Sequence, residues 1–241
     1  MSTDKSAGDL THMKRQRRIG VVSPLPLVAQ DISDAFSALW PEAEVVNVID
    51  DSLYTDYIGK GRIMTEDVRA RVESALRHCQ TSRPDVLLFS GSVFGDVIKE
   101  MRPRFTVPVV AALDGLVADA FDAGRRFGIL TTSPFSNKDL QRDLALFGKH
   151  HDNEFTFSAK VHEEARRVIL VDKDRERHDQ MLLEMAAEFT DIDVLLLGQF
   201  SLGTAYNLIS QTSKIKVLSA ARSSVNYIRK LLDEGGLTPA E

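Results

Sequence analysis

Short runs rich in Val, Ile and Leu alternate with longer amphipathic stretches along most of the chain. The runs are RRIGVVS from Arg17, EVVNVI from Glu44, DVLLFS from Asp85, VPVVAALD from Val107, RRFGILT from Arg125, FTFSAKV from Phe155, DVLLLG from Asp193 and IKVLSAAR from Ile215. Such runs, ending in small or polar residues, read as strands buried on both faces, the pattern of a parallel sheet. The stretches between them read as helices. Thr65 is an N-cap candidate ahead of acids in a first turn, and Val68, Val72, Ala75 and Leu76 then fall on one face. Asp174 holds the matching place before RERHDQMLLEMAAEF. Ala29 to Leu39 reads as the helix after the first strand, and SNKDLQRDLALF from Ser136 as its counterpart.

Three of the strand motifs recur at one constant offset of 108 residues: RRIGVVS with RRFGILT, DVLLFSGSVFG with DVLLLGQFSLG, and VPVVAALD with IKVLSAAR. Three matches in one order at one spacing mark an internal duplication. Between EVVNVI and FTFSAKV the offset slips by a few residues. Each half reads strand, helix, strand, helix, strand, helix, strand. The expected fold is therefore α/β, with two pseudo-symmetric, doubly wound, flavodoxin-like parallel-sheet lobes and a cleft between them. The expected division is a disordered basic tail over residues 1–16, a first half over 17–114, a second half over 115–221, and a C-terminal helix over 222–241 returning to the first half. A helix from about Gly115 to Phe121 carries the chain across.

Composition narrows the function classes. The 241 residues carry a formal net charge of −5 and are 43% hydrophobic. A broad basic footprint is missing, so no nucleic-acid partner is expected. The local exception is KRQRR, Lys14 to Arg18, read as a solvated arm rather than a phosphate or membrane patch. No apolar run is long enough to span a bilayer, and the polar N-terminus lacks the apolar core of a secretory signal. The single cysteine, Cys79, excludes an intramolecular disulfide and a cysteine-rich zinc site. These features fit the cytoplasm, with no membrane partner. Cys79 lies late in an amphipathic helix and reads as structural.

In open α/β sheets, ligands bind beyond the carboxyl ends of the strands. The repeat then selects Ser23 with Pro24, and Thr131, Thr132 and Ser133, after the first strands. It selects Ser90, Gly91, Ser92 and Val93, and Gln199, Phe200 and Ser201 with Gly198, after the third. It selects Asp114 and Arg222 after the fourth. Hydroxyls and backbone amides at strand-to-helix turns suit a small carboxylate or phosphate. Asp114 could act as a base, or pair with Arg222, or Arg222 could grip a substrate carboxylate. His162 follows the second strand of its half, where a side chain can reach the cleft, and Asp50 and Asp51 hold the comparable place. His150, His151 and His178 read as exposed. No metal-ligand spacing and no phosphate-loop or dinucleotide motif occurs, so neither a metal nor a cofactor is expected.

At these residues the chain resembles the aspartate/glutamate/hydantoin racemase superfamily, which includes maleate isomerase and arylmalonate decarboxylase. The resemblance runs from about Arg17 to Leu232. It implies a pseudo-two-fold enzyme, a homodimer, with one cysteine after the third strand of each half to move a proton beside a carboxylate. In this sequence those positions are Gly91 and Gln199, again 108 apart. Glycine has no side chain, and the glutamine amide only donates and accepts hydrogen bonds. The two-thiol mechanism is therefore excluded, and so is the one-thiol decarboxylase mechanism.

Two functions remain. One is an enzyme on small carboxylates, an isomerase, lyase or decarboxylase without cysteine. In it Ser92, Gln199 and Thr131 stabilise an enolate-like oxyanion, with Asp114 and His162 as candidate acid–base groups. The other is a non-catalytic carboxylate binder or sensor on the same scaffold. A phosphate-binding protein of flavodoxin type, using the Thr131 to Ser133 turn, is a third reading.

Overall fold

The computed structural model describes residues 16–235. The tail expected over residues 1–16 lies, apart from Gln16, outside the described residues. The first lobe runs β1 (Arg18–Ser23), α1 (Pro26–Leu39), β2 (Glu44–Ile49), α2 (Asp51–Gly59), α3 (Glu66–Gln80), β3 (Val86–Phe89), α4 (Gly95–Met101) and β4 (Val109–Ala111). Helix α5 (Asp114–Ala123) crosses to the second lobe. That lobe runs β5 (Arg126–Thr131), α6 (Pro134–His150), β6 (Thr156–Val161), α7 (Glu163–Arg167), α8 (Arg175–Ala186), β7 (Val194–Leu197), α9 (Gly203–Thr212) and β8 (Lys216–Ser219). The described chain closes with α10 (Ala220–Asp233).

Each lobe is a four-stranded parallel sheet, in the order β2-β1-β3-β4 and β6-β5-β7-β8. The duplication holds at the level of register. Ile19 lies beside Val86 as Phe127 lies beside Val194, each pair displaced by the same 108 residues. The slipped segment can now be measured. Glu44 and Thr156 stand beside the mates Arg18 and Arg126, so there the offset is 156 minus 44, or 112.

Helices α2 and α7 were not expected, and both start from a side-chain cap. The Asp50 carboxylate accepts from Leu53 N at 3.2 Å, and His162 Nδ1 accepts from Ala165 N at 3.3 Å. Asp50 and His162 are mates at the 112 offset. Each cap satisfies a backbone N–H that a helix start leaves without an intrahelical partner. Thr65 and Asp174 cap α3 and α8 in the same way.

One apolar core lies between the sheets, built from α1, α5, α6 and α10 with the inward faces of β1, β3, β5 and β7. Separate clusters fill the outer face of each lobe. Helices α5 and α10 cross closely: a Cβ on Gly115 would lie 2.5 Å from the Ser223 carbonyl oxygen. Gly115 and Ser223 are themselves repeat mates. Helix α10 also packs on α1 of the first lobe.

The foot of each sheet is braced by one aspartate. Asp85 accepts from Arg18 N at 2.8 Å and from the Arg17 guanidinium at 3.3 Å. Its mate Asp193 accepts from the backbone amides of Arg125 and Arg126, both at 2.9 Å, and from the Arg126 side chain at 2.6 Å. The described end of KRQRR is thus part of a brace rather than a solvated arm. Cys79 is 1% exposed, with its sulfur 2.8 Å from where a Gly20 Cβ would stand. Burial pushes its thiol up to about 11, so it is an inert packing group.

Candidate functional site

The cleft opens at the carboxyl ends of the strands, where the turns after β1 and β3 meet those after β5 and β7. The first lobe lines it with Pro24, Leu25, Ser90, Gly91, Ser92 and Val93. The second contributes Thr132, Ser136, Gln199, Phe200 and Ser201. The helices that follow β2 and β6 close the mouth with Tyr54 from one lobe and Arg166, Ile169 and Leu170 from the other. The cavity measures about 60 Å³, room for several waters at roughly 15 Å³ each. That suits a ligand of few heavy atoms.

Gly91 does more than omit a thiol. A Cβ there would meet Phe94 at 2.8 Å, Pro24 at 2.9 Å and Phe89 at 3.1 Å. Phe89 and Phe94 pack edge to face at 5.4 Å, and Tyr57 adds a third ring 5.4 Å from Phe94. The space a side chain would need is filled by aromatic packing.

The mate position is built differently. Gln199 Oε1 accepts from Thr132 N at 2.6 Å and from Thr132 Oγ1 at 3.1 Å. A backbone N–H can only donate, so the carbonyl end of the amide is fixed towards Thr132 and the NH₂ remains as the group's donor. The same bond occupies the amide that a phosphate at the Thr131–Ser133 turn would need. Thr131 Oγ1 is also engaged, with Ser133 O at 3.3 Å and Asn137 Nδ2 at 3.2 Å.

Two polar contacts cross the cleft. Ser92 Oγ donates to Ser136 Oγ at 3.1 Å. Arg166 Nη2 donates to the Tyr54 hydroxyl at 2.9 Å. Tyr54 and Arg166 are mates at the 112 offset, so the pair that joins the lobes is one repeat position meeting its own copy. Among the described residues Arg166 is the cation lining the cleft, and no carboxylate, imidazole or thiol lines it.

The remaining expected residues sit elsewhere. Ser23, Thr131 and Ser133 are buried behind the lining, and Ser23 Oγ accepts from Ser90 Oγ at 3.0 Å. His162 is spent as the cap of α7. Asp114 is not a free base at a strand end, and it does not pair with Arg222. It opens α5, accepts from Ala111 N at 2.7 Å and forms a tight ion pair with Arg102. Burial pushes its carboxyl up, while Arg102 and Lys99 pull it down. Arg222 lies over the Tyr206 ring at 4.7 Å, away from the cleft. His178, expected to be exposed, is fully buried, with Nδ1 2.7 Å from Asp179 Oδ1.

Comparison with known proteins gives this geometry a family. The profile of the Asp/Glu/hydantoin racemase family matches residues 13–228. The chain belongs to this family. Its fold is similar to glutamate racemase from Bacillus anthracis, at 13% identity and a TM-score of 0.67, over 93% of this chain and 85% of that one. Allantoin racemase from Klebsiella pneumoniae shares 17% identity with a TM-score of 0.67, over 93% of this chain and 91% of that one. Unliganded arylmalonate decarboxylase shares 17% identity with a TM-score of 0.56, over 91% of this chain and 94% of that one. No curated protein sequence matches the chain. Among the described residues no helix is long and apolar enough to cross a membrane.

Proposed function

We propose that this racemase-family protein acts on a small carboxylate by a cysteine-independent isomerase, lyase or decarboxylase mechanism. The observation that carries the reading is the polarity of the cleft. Among the described residues the lining carries the Arg166 cation, the Ser92 hydroxyl and the Gln199 NH₂, and no acidic side chain. A guanidinium can grip a carboxylate with two parallel hydrogen bonds. The Ser92 hydroxyl and the Gln199 NH₂ would then serve the carbon next to it, where an enolate-like oxyanion would develop, since donors fixed in advance stabilise such charge. Binding a carboxylate at Arg166 replaces the bond to Tyr54 and frees the phenol to face the ligand.

The same lining supports a second reading, a carboxylate sensor without turnover. Gly91 is closed by packing, Gln199 cannot titrate, and Asp114 and His162 are committed elsewhere. Tyr54 and Arg166 are thus the titratable side chains of the lining.

One experiment separates the two. Malonate, phenylmalonate, aspartate, glutamate and allantoin are incubated with the protein in heavy water. Exchange of the proton beside the carboxylate or ring carbonyl, and carbon dioxide release, are followed by NMR, and melting temperature is read in parallel. Exchange or decarboxylation that Arg166→Met abolishes supports the enzyme. A concentration-dependent rise in melting temperature without exchange supports the sensor. Neither effect with any probe rejects both.

A further inference from the structure

Two carboxylates outside the cleft occupy matched places. Asp31 and Asp139 are mates at the 108 offset, each three residues beyond a cleft-lining residue of its helix, Val28 on α1 and Ser136 on α6. That spacing puts each on the same helix face, about one turn deeper, where its helix meets the other lobe.

The Asp31 side chain is 1% exposed. Its Cβ lies 3.4 Å from where a Cβ on Gly203 would stand, at the start of α9 in the second lobe, and Ala221 of α10 borders the same spot. Arg175 on α8 reaches Oδ1 at 3.4 Å, and Oδ2 has no partner among the described residues. The other charges that face it are Asp179 on α8 and Asp34 on α1. Asp179 is itself taken by Thr204 Oγ1 at 2.6 Å and by His178.

On the other flank Asp139 faces α4 of the first lobe, which brings Asp96 and Lys99, and α2, which brings Tyr57. Arg142 and Asp143 share its own helix. Lys99 is committed to Asp143 at 2.9 Å, and Arg142 to Asp96 at 2.8 Å while reaching Asp139 at 3.4 Å. Each mate therefore has a single cation, at 3.4 Å, and that of Asp139 is shared with Asp96. Burial pushes Asp31 up to about 7 and Asp139 up to about 6.

We propose that Asp31 and Asp139 are a matched pair of clasps that hold the lobes together over the cleft when neutral and loosen them when ionised. Closing takes Asp31 out of water and leaves Asp139 only 19% exposed, and opening returns both to it. The charged form of an under-paired carboxylate is the form that desolvation penalises. The closed form accordingly binds more protons than the open form, whose carboxyls titrate near the ordinary value of about 4. The closed-to-open ratio then falls as pH rises, by up to about tenfold per pH unit for each group within its window. The fall ends once both groups are ionised in the closed form as well.

Amide hydrogen exchange of the full chain between pH 5 and 8, corrected for intrinsic exchange, tests this along α1, α6 and the start of α9. The expected result is a loss of protection of tenfold or more as pH rises to about 7, then a plateau. The Asp31→Asn/Asp139→Asn double variant, which mimics the neutral pair, should keep its protection throughout. Arg175→Met removes the cation that favours ionised Asp31 and should extend the loss to higher pH, delaying the plateau. It decides the matter by itself should the double variant not fold. Flat protection in the unmodified protein, an unchanged loss in the double variant, or an Arg175→Met profile identical to the parent would each overturn the proposal. None of these readouts needs turnover, so the clasp stands or falls apart from the proposed reaction.

Discussion

The two lobes share a frame and differ in what fills it. Strand order, register, the foot brace and the α5–α10 crossing are duplicated. At the cleft, the first lobe places Gly91 against a cluster of aromatic rings, and the second places Gln199 in a clamp with Thr132. At the ends of the fourth strands, the first lobe buries the Asp114–Arg102 ion pair, and the second lays Arg222 over Tyr206. The duplication preserves backbone geometry, which all residues of a sheet must satisfy together. It leaves side chains free to diverge where mates face different neighbours. Tyr54 and Arg166 show divergence creating a polar contact between mates, which meet each other as Gly115 and Ser223 do at the α5–α10 crossing.

The sharpest way to break the comparison is to remove one member of each unlike pair. Asp114→Ala leaves the nearly buried Arg102 guanidinium with only its bond to the Val109 carbonyl and should cost about 3 kcal/mol in chemical denaturation. Arg222→Ala, at the mate position, should cost only about 0.5–1 kcal/mol, the scale of an exposed cation–π contact. Equal losses would show the fourth-strand ends to be equivalent after all. Next in size, Arg166→Met should weaken malonate binding by roughly tenfold to a hundredfold in calorimetric titration, the worth of a hydrogen bond to a charged group, about 1.5–3 kcal/mol. Placing a thiol at each of these mates separates the lobes again. Gly91→Cys should destabilise by about 1–3 kcal/mol through overpacking, whereas Gln199→Cys should lose only about 1 kcal/mol with its bonds to Thr132. Thermal melts of the two variants read the difference directly. The smallest effect lies at the foot of the second sheet. The Arg126 guanidinium and two backbone amides hold Asp193 down at about 2, below its ordinary value of 3.8. Its stabilising contribution is present above pH 4 and is lost as pH falls towards 2. Asp193→Asn should flatten that acid limb in a pH-dependent denaturation series.

The strands, the offset and the position of the cleft were legible in the sequence, because apolar runs and loop ends at constant spacing are one-dimensional signals. Ser92, Thr132 and Gln199 were found this way. Tyr54 and Arg166 were not, since they lie in the slipped segment, where the 108 offset pairs each with an unrelated residue. Registering EVVNVI against TFSAKV from Thr156, at 112, would have aligned them. Asp114 was misjudged because its partner Arg102 belongs to no repeated motif, and only packing brings the two together. His178 was misjudged from its charged neighbours, although its own helix turns it inward.

The crowding at Gly91 bears on the order in which substitutions can accumulate. A lone Gly91→Cys substitution would enter a space already occupied by Phe94, Pro24 and Phe89. Replacing a neighbouring ring by something smaller first would lower that cost. Aromatic packing thus works as a ratchet: an acid–base side chain enters this cleft more easily at position 199, or through the Tyr54–Arg166 pair, than at position 91.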